Sequence, residues 1–156
     1  MALKPSFSQA DVAKRFAKFL DVIEKRQIDR LRMLGEMCIT RARELPPTIG
    51  FMDQTGALRS SMGYTVFKDG VPIHDNFEQV KEGAEGLIAG KLLAQKIGEK
   101  YKGKGLVLVV VAGMNYALYV EAKGRDVLSS AELLAQQVLP RMVQELIDNI
   151  SKSIER

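Results

Sequence analysis

Apolar residues recur at steps of three and four from early in the chain: Val12, Phe16, Phe19, Leu20, Ile23, Leu31, Leu34, Cys38 and Ala42. At about 100° per residue they stay on one slowly drifting stripe, which predicts an amphipathic helix. Ser8 is placed to cap it, and Asp11 sits in the first turn, where a carboxylate favours the helix dipole. Pro46-Pro47 ends it, because residues before proline leave the α region. A helix over 8–44 would be about 55 Å long. A compact globule of this chain length is only about 40 Å across. The helix is therefore expected either to break, at 27–30 or at Gly35, or to pack on something outside its own domain.

Residues 47–55 read as a loop and 55–61 as a short turn or helical step. Met62–Lys68 alternates Tyr64 and Val66 against Thr65 and Phe67, the period of a strand. Asp69-Gly70 is a tight hairpin turn, and Pro72 confines the return segment, up to Phe77, to a sheet edge. Leu87, Ile88, Leu92, Leu93, Ile97 and Tyr101 predict a helix over 84–101, which Gly86, Gly90 and Gly98 should each weaken by about 1 kcal/mol. Leu106–Ala112 is rich in β-branched residues and reads as a buried strand. A turn at Gly113-Met114-Asn115 leads into 116–122, read as a fourth strand. Ser129 and Ser130 are placed to cap a last helix reaching Ile154. Its apolar face shifts at Pro140: Leu133, Leu134 and Val138 lie on one side, and Leu139, Met142, Val143, Leu146, Ile147, Ile150 and Ile154 on another. A kink there would aim the two halves at different neighbours. The expected fold is one α+β domain over 1–156. A mostly antiparallel sheet of about four strands (hairpin 62–77, two strands in 105–122) is packed by the long N-terminal helix, the middle helix and a kinked C-terminal helix at 129–154.

Composition narrows the chemistry. The chain has 156 residues, 46% hydrophobic and 27% charged, values of one globular domain rather than a disordered chain. Its one cysteine, Cys38, excludes an internal disulfide and lies on the apolar stripe, where a buried inert thiol is expected. Its one histidine, His74, excludes His-pair metal motifs. His74 and Asp75 are strand neighbours on opposite faces, so they form no relay. With no tryptophan and 6% aromatics, base-stacking platforms are disfavoured. No catalytic residue, metal site or cofactor is expected, and the chain reads as a non-enzyme. Residues 1–10 lack the order of a secretory signal and the longest apolar run is too short to span a bilayer, so a soluble intracellular protein without membrane contact is expected. The run 98–105 comes close to a phosphate loop. It puts Gly105 where a Ser or Thr must hold magnesium, and it follows a helix instead of opening one, so it reads as a solvated turn.

The net charge of +4, from 23 basic and 19 acidic residues, matters only where it is clustered. Lys91, Lys96, Lys100, Lys102 and Lys104 are opposed by Glu99 alone. This lysine-rich helix end is either a solvated surface or a contact for DNA phosphates or an acidic partner. A nucleic-acid-binding module using it is the alternative function, with affinity falling steeply in salt. Alternation over 116–121 sets Tyr116, Leu118 and Val120 on one face and Ala117, Tyr119 and Glu121 on the other. That is either a half-exposed strand with a charged turn or a subunit interface, with Glu121, Arg125 and Asp126 choosing the partner.

Two motifs then carry a resemblance. Thr55-Gly56-Ala57-Leu58-Arg59-Ser60-Ser61 and Tyr116-Ala117-Leu118-Tyr119-Val120-Glu121-Ala122-Lys123-Gly124, with the long N-terminal helix and the helix after the second motif, resemble the tail-completion or head–tail joining (neck) proteins of long-tailed phages. The matching positions are Thr55, Gly56, Leu58, Arg59, Ser61, Tyr116, Ala117, Tyr119, Val120, Glu121 and Gly124, read as fold and assembly residues. Arg59, Tyr119, Glu121, Arg125 and Asp126 are the candidate interface. The chain departs from many members by its glycine-rich helix over 84–101 and by its Lys123-Gly124-Arg125-Asp126 turn. The resemblance implies a virion protein that forms a ring, commonly a hexamer. Its partners would be a tail-tube protein and a head-side connector or stopper, with DNA passing through the lumen without sequence-specific binding. Terminator, stopper and other neck roles all stay open.

Overall fold

A computed structural model describes Ser6 and residues 8–155. Helix α1 (Gln9–Arg43) opens with the expected cap: the Ser8 backbone N–H donates to the Asp11 carboxylate, and the Asp11 N–H donates back to Ser8 Oγ. The Ser8 backbone N–H, and after it the Ser8 hydroxyl, which also donates to this carboxylate, hold the Asp11 carboxyl below its ordinary pKa. The helix does not break. It runs 35 residues, about 52 Å, and Gly35 serves to admit the Tyr64 ring, whose carbons would lie 2.6 Å from an added Cβ.

The chain continues as α2 (Ala57–Ser60), β1 (Met62–Lys68), β2 (Val71–Phe77), α3 (Ala84–Gly98) with a 3-10 turn at Glu99–Tyr101, and β3 (Leu106–Ala112). It ends as α4 (Ala117–Ala122) and α5 (Ser129–Ile154). The sheet has three antiparallel strands in the order β2-β1-β3. Asp69 and Gly70 both have positive φ, the mirror-image turn that suits the strand twist of a tight hairpin. The edge strand β2 carries Pro72 beside a bulge that breaks register between Val66 and Phe67.

The expected fourth strand is a helix. Within 117–122 the residues turned inward are Ala117, Val120 and Glu121, at steps of three and four, while Leu118 and Tyr119 face outward. Gly124, at φ +82, ends the helix in a Schellman arrangement: its N–H reaches the Glu121 carbonyl and the Arg125 N–H reaches that of Val120. The alternating faces read across 116–121 are replaced by this helical spacing.

One sheet face packs Tyr64, Val66, Leu108 and Val110 under α1, and α5 lies alongside α1. The other packs Phe67, Val109 and Val111 under Ala94, Leu93 and Ile97 of α3. Gly86, Gly90, Ala94 and Gly98 line the buried face of α3 at steps of four. Side chains at Gly86 and Gly90 would strike the backbone carbonyls of Ala57 and Ser61. These glycines, expected only to weaken the helix, let it lie backbone to backbone against α2 and the start of β1. In α5 the buried residues Ala131, Val138, Met142 and Leu146 form one stripe on both sides of Pro140. The two halves therefore share a neighbour, α1, and the second apolar set (Leu139, Val143, Ile147, Ile154) is left exposed. Cys38 is 2% exposed with its thiol directed at the Ala131 carbonyl, and burial raises its pKa. It should react with a thiol reagent such as DTNB only after unfolding; full labelling of the native protein within minutes would contradict that placement.

Candidate functional site

The first motif is a clasp. The Asp53 carboxylate, which sequence reading passed over, accepts from the N–H groups of Gly56 at 3.1 Å and Arg59 at 2.8 Å, so it caps the short α2. Gly56 supplies the φ of +82 that the entry requires. Leu58 is buried. Ser60 Oγ accepts from the Val80 N–H at 2.7 Å and so ties down the chain leaving β2, and Ser61 Oγ donates to the Leu58 carbonyl. The Arg59 guanidinium lies 5.6 Å from the centre of the Phe51 ring, partly buried.

The second motif organises the start of α5. Glu121 Oε1 accepts from the Leu128 N–H (3.1 Å), the Ser129 N–H (2.8 Å) and Ser129 Oγ (2.6 Å). Asp126 Oδ1 accepts from the Ser130 N–H at 3.2 Å. These carboxylates cap the helix in place of the expected Ser129 and Ser130 hydroxyls; the residue before the helix, Leu128, has no side-chain cap to offer. Burial alone would raise the Glu121 pKa, but the bonds from the Ser129 side chain and from the Leu128, Ser129 and Val127 backbones outweigh it and hold the carboxyl below the usual glutamate value. Arg125 Nη1 donates to the carbonyls of Pro47 and Thr48, and the Asp126 N–H donates to that of Ile49. The side chains of Glu121, Arg125 and Asp126 are thus engaged within the chain, stitching the loop after Pro46-Pro47 to the α4–α5 turn. Tyr119 is free to meet a partner: it is 63% exposed, with Lys123 Nζ 5.1 Å from its ring centre.

The two motifs, far apart in sequence, meet in space. Thr55 and Leu58 from the first and Tyr116 and Val120 from the second line one shallow pocket of about 310 Å³, together with Asp53 and Arg125. Met52 lines it and is 78% exposed, and Leu118 and Tyr119 on the outward side of α4 are exposed as well. Burial raises the Tyr116 pKa, helped by the charges of Asp53 and Glu85.

A second apolar surface belongs to α1. Residues 9–18 are all exposed, among them Val12 (50%) and Phe16 (61%), and Leu20 follows at 48%. Only the stretch from Leu34 to Ala42 is buried.

The lysines lie elsewhere, on and after α3. All five are exposed, and none is ion-paired among the described residues. By helical phase Lys91 and Lys96 stand about 140° apart with the exposed Ile88 and Leu92 between them, so they flank an apolar strip rather than form one stripe. The glycine turn at their end is clasped to the hairpin: Asp69 and Gly105 exchange bonds of 2.9 and 2.8 Å.

His74 is on β2, opposite Val66, with Nε2 3.1 Å from the Tyr64 hydroxyl. That hydroxyl donates to Glu36 Oε1, which also accepts from Asn76 Nδ2, and burial followed by this bond raises the Tyr64 pKa. The network joins α1, β1 and β2, and a tyrosine–glutamate contact across 28 residues leaves no local sequence signal. Among the described residues no group of three or more His, Cys, Asp or Glu is placed to hold a metal ion, and no helix is long and apolar enough to cross a membrane. No family model, curated protein or solved structure matches the chain.

Proposed function

We propose that this chain is a structural subunit of a phage head–tail junction, a tail-completion or terminator protein that assembles into a ring, commonly of six copies, through which DNA passes. The observation that carries the proposal is α1. A helix of about 52 Å with its first ten residues exposed and an apolar stripe along them is costly in a protein that stays alone. The stripe continues into exposed residues of α5, so the unpartnered surface is extended rather than scattered. The meeting of the two resemblance motifs at one shallow pocket adds a second surface of the kind a ring subunit turns to tail tube or connector. Mixing the protein with purified tail tubes and portal-bearing heads, followed by negative-stain microscopy, tests this. Rings seated on one tube end support the proposal; bare tubes at saturating protein overturn it. Charge reversal at Lys91, Lys96 and Lys100 separates the nucleic-acid reading: it should leave ring formation intact, whereas a DNA-binding module would lose its salt-dependent affinity.

A further inference from the structure

We propose that the free N-terminal turns of α1 in one copy lie in a groove between α1 and α5 of the next copy; this head-to-tail sense rests on the ring reading above. The groove holds about 900 Å³. Leu20, Ile23 and Leu31 of α1 form one wall, Leu139, Val143 and Ile147 of α5 form the other, and Lys68, Asp69 and Leu106 close the end of the sheet. The two helices run antiparallel, Cys38 beside Ala131 and Arg30 beside Glu145, and α5 ends near the turn of α1 at Arg26 and Asp29. Leu20, Ile23 and Glu24 still face the groove and Lys68, and ahead of them residues 9–18 of α1 are all exposed.

Length, shape and charge fit this occupant. The free stretch 9–18 is about 14 Å long, and the groove along 139–150 is about 17 Å. Placed at about 100° per residue, Val12, Phe16 and Phe19 together with Ala10, Ala13 and Ala17 spread over about half of the helix circumference. An arc that wide cannot be covered by one flat face; it needs a groove with two walls. The half-exposed side chains Val12, Phe16 and Leu20 of the stripe and Leu139, Val143 and Ile147 of the groove are the apolar surface that this contact would cover. Lys14, Arg15 and Lys18 flank the free stretch, while Asp148 and Glu155 flank the exposed stripe of α5. A contact between two different surfaces of the same chain is heterologous, and it closes into a ring when the rotation permits.

The test is a paired cysteine variant, Phe16→Cys with Val143→Cys, oxidised at a concentration where copies associate. Within one chain these positions are about 21 Å apart along α1, far beyond the roughly 7 Å that a disulfide spans, so any bond between them joins two copies. The expected result is a ladder of covalent oligomers on a non-reducing gel, its yield reduced at least tenfold by adding Lys14→Glu and Lys18→Glu. Phe16 is exposed in the free stretch, so the companion variant Phe16→Asp should keep the wild-type circular dichroism spectrum at low temperature while association weakens at least tenfold. Rings seen by microscopy without the ladder would overturn the inference and leave the ring reading standing. Covalent dimers alone would overturn the head-to-tail sense, and Val143→Cys bonding only to added tail-tube protein would overturn the choice of occupant. Absence of both ladder and rings would overturn the inference and the ring reading together.

Discussion

Gly90→Val is expected to unfold the protein or cost at least about 3 kcal/mol, although glycine-to-larger changes favour an isolated helix. The new Cβ would collide with the Ser61 carbonyl, and that oxygen is held by the Gly113 N–H at 3.1 Å. The Phe77 ring lies 2.9 Å away on another side. Relief would require α3 to lift from β1, exposing Phe67, Val109 and Val111. Gly103→Ala is the control: its φ is +73 and its surroundings are open, so only the left-handed backbone penalty of about 1 kcal/mol should appear. Urea denaturation followed by circular dichroism measures both. A Gly90→Val protein with the wild-type midpoint would refute the close approach of α3.

Glu121→Ala should lower stability by about 1–2 kcal/mol, because the Leu128 and Ser129 N–H groups at the start of α5 lose their acceptor. The carboxylate also makes a pH-dependent contribution. Its native pKa lies below the unfolded value of 4.5, so the contribution is complete above about pH 4.5 and disappears as pH falls through the lowered native value. The difference in unfolding free energy between wild type and Glu121→Gln should therefore shrink on going from pH 7 to pH 3. A difference unchanged by pH would show that the charge is not what Ser129 and Leu128 hold. Loss of assembly by this variant would not by itself assign Glu121 to an interface, because the same carboxylate positions α5 and with it one wall of the groove.

The elements with strong punctuation were legible from residues alone. Ser8, the Asp69-Gly70 turn and Pro72 each act within three or four positions, and the limits of α5 agree with its periodicity. Segment 116–122 was not, because over seven residues periods of two and of three to four both leave apolar groups on a plausible face. What decides it is Gly124, whose left-handed backbone closes a Schellman turn on the Glu121 and Val120 carbonyls. The four-residue spacing of Gly86, Gly90, Ala94 and Gly98 was in plain view, but its meaning depended on Ala57 and Ser61 arriving against it. Length alone left α1 either to break or to overhang, and only the structure, with one unbroken helix of 35 residues, decides between them. The shared pocket of the two motifs could not be read, as it depends on Arg125 and Asp126 reaching back to the loop at Pro47, Thr48 and Ile49.

The claim that this chain completes its packing only among copies of itself is tested most directly by its absolute mass. Light scattering on the full chain, across concentration and with tail tubes and connector added, should report a fixed multiple of the monomer mass, with rings in negative stain of the same fractions. A mass equal to one chain at every concentration, unchanged by either partner, would contradict it.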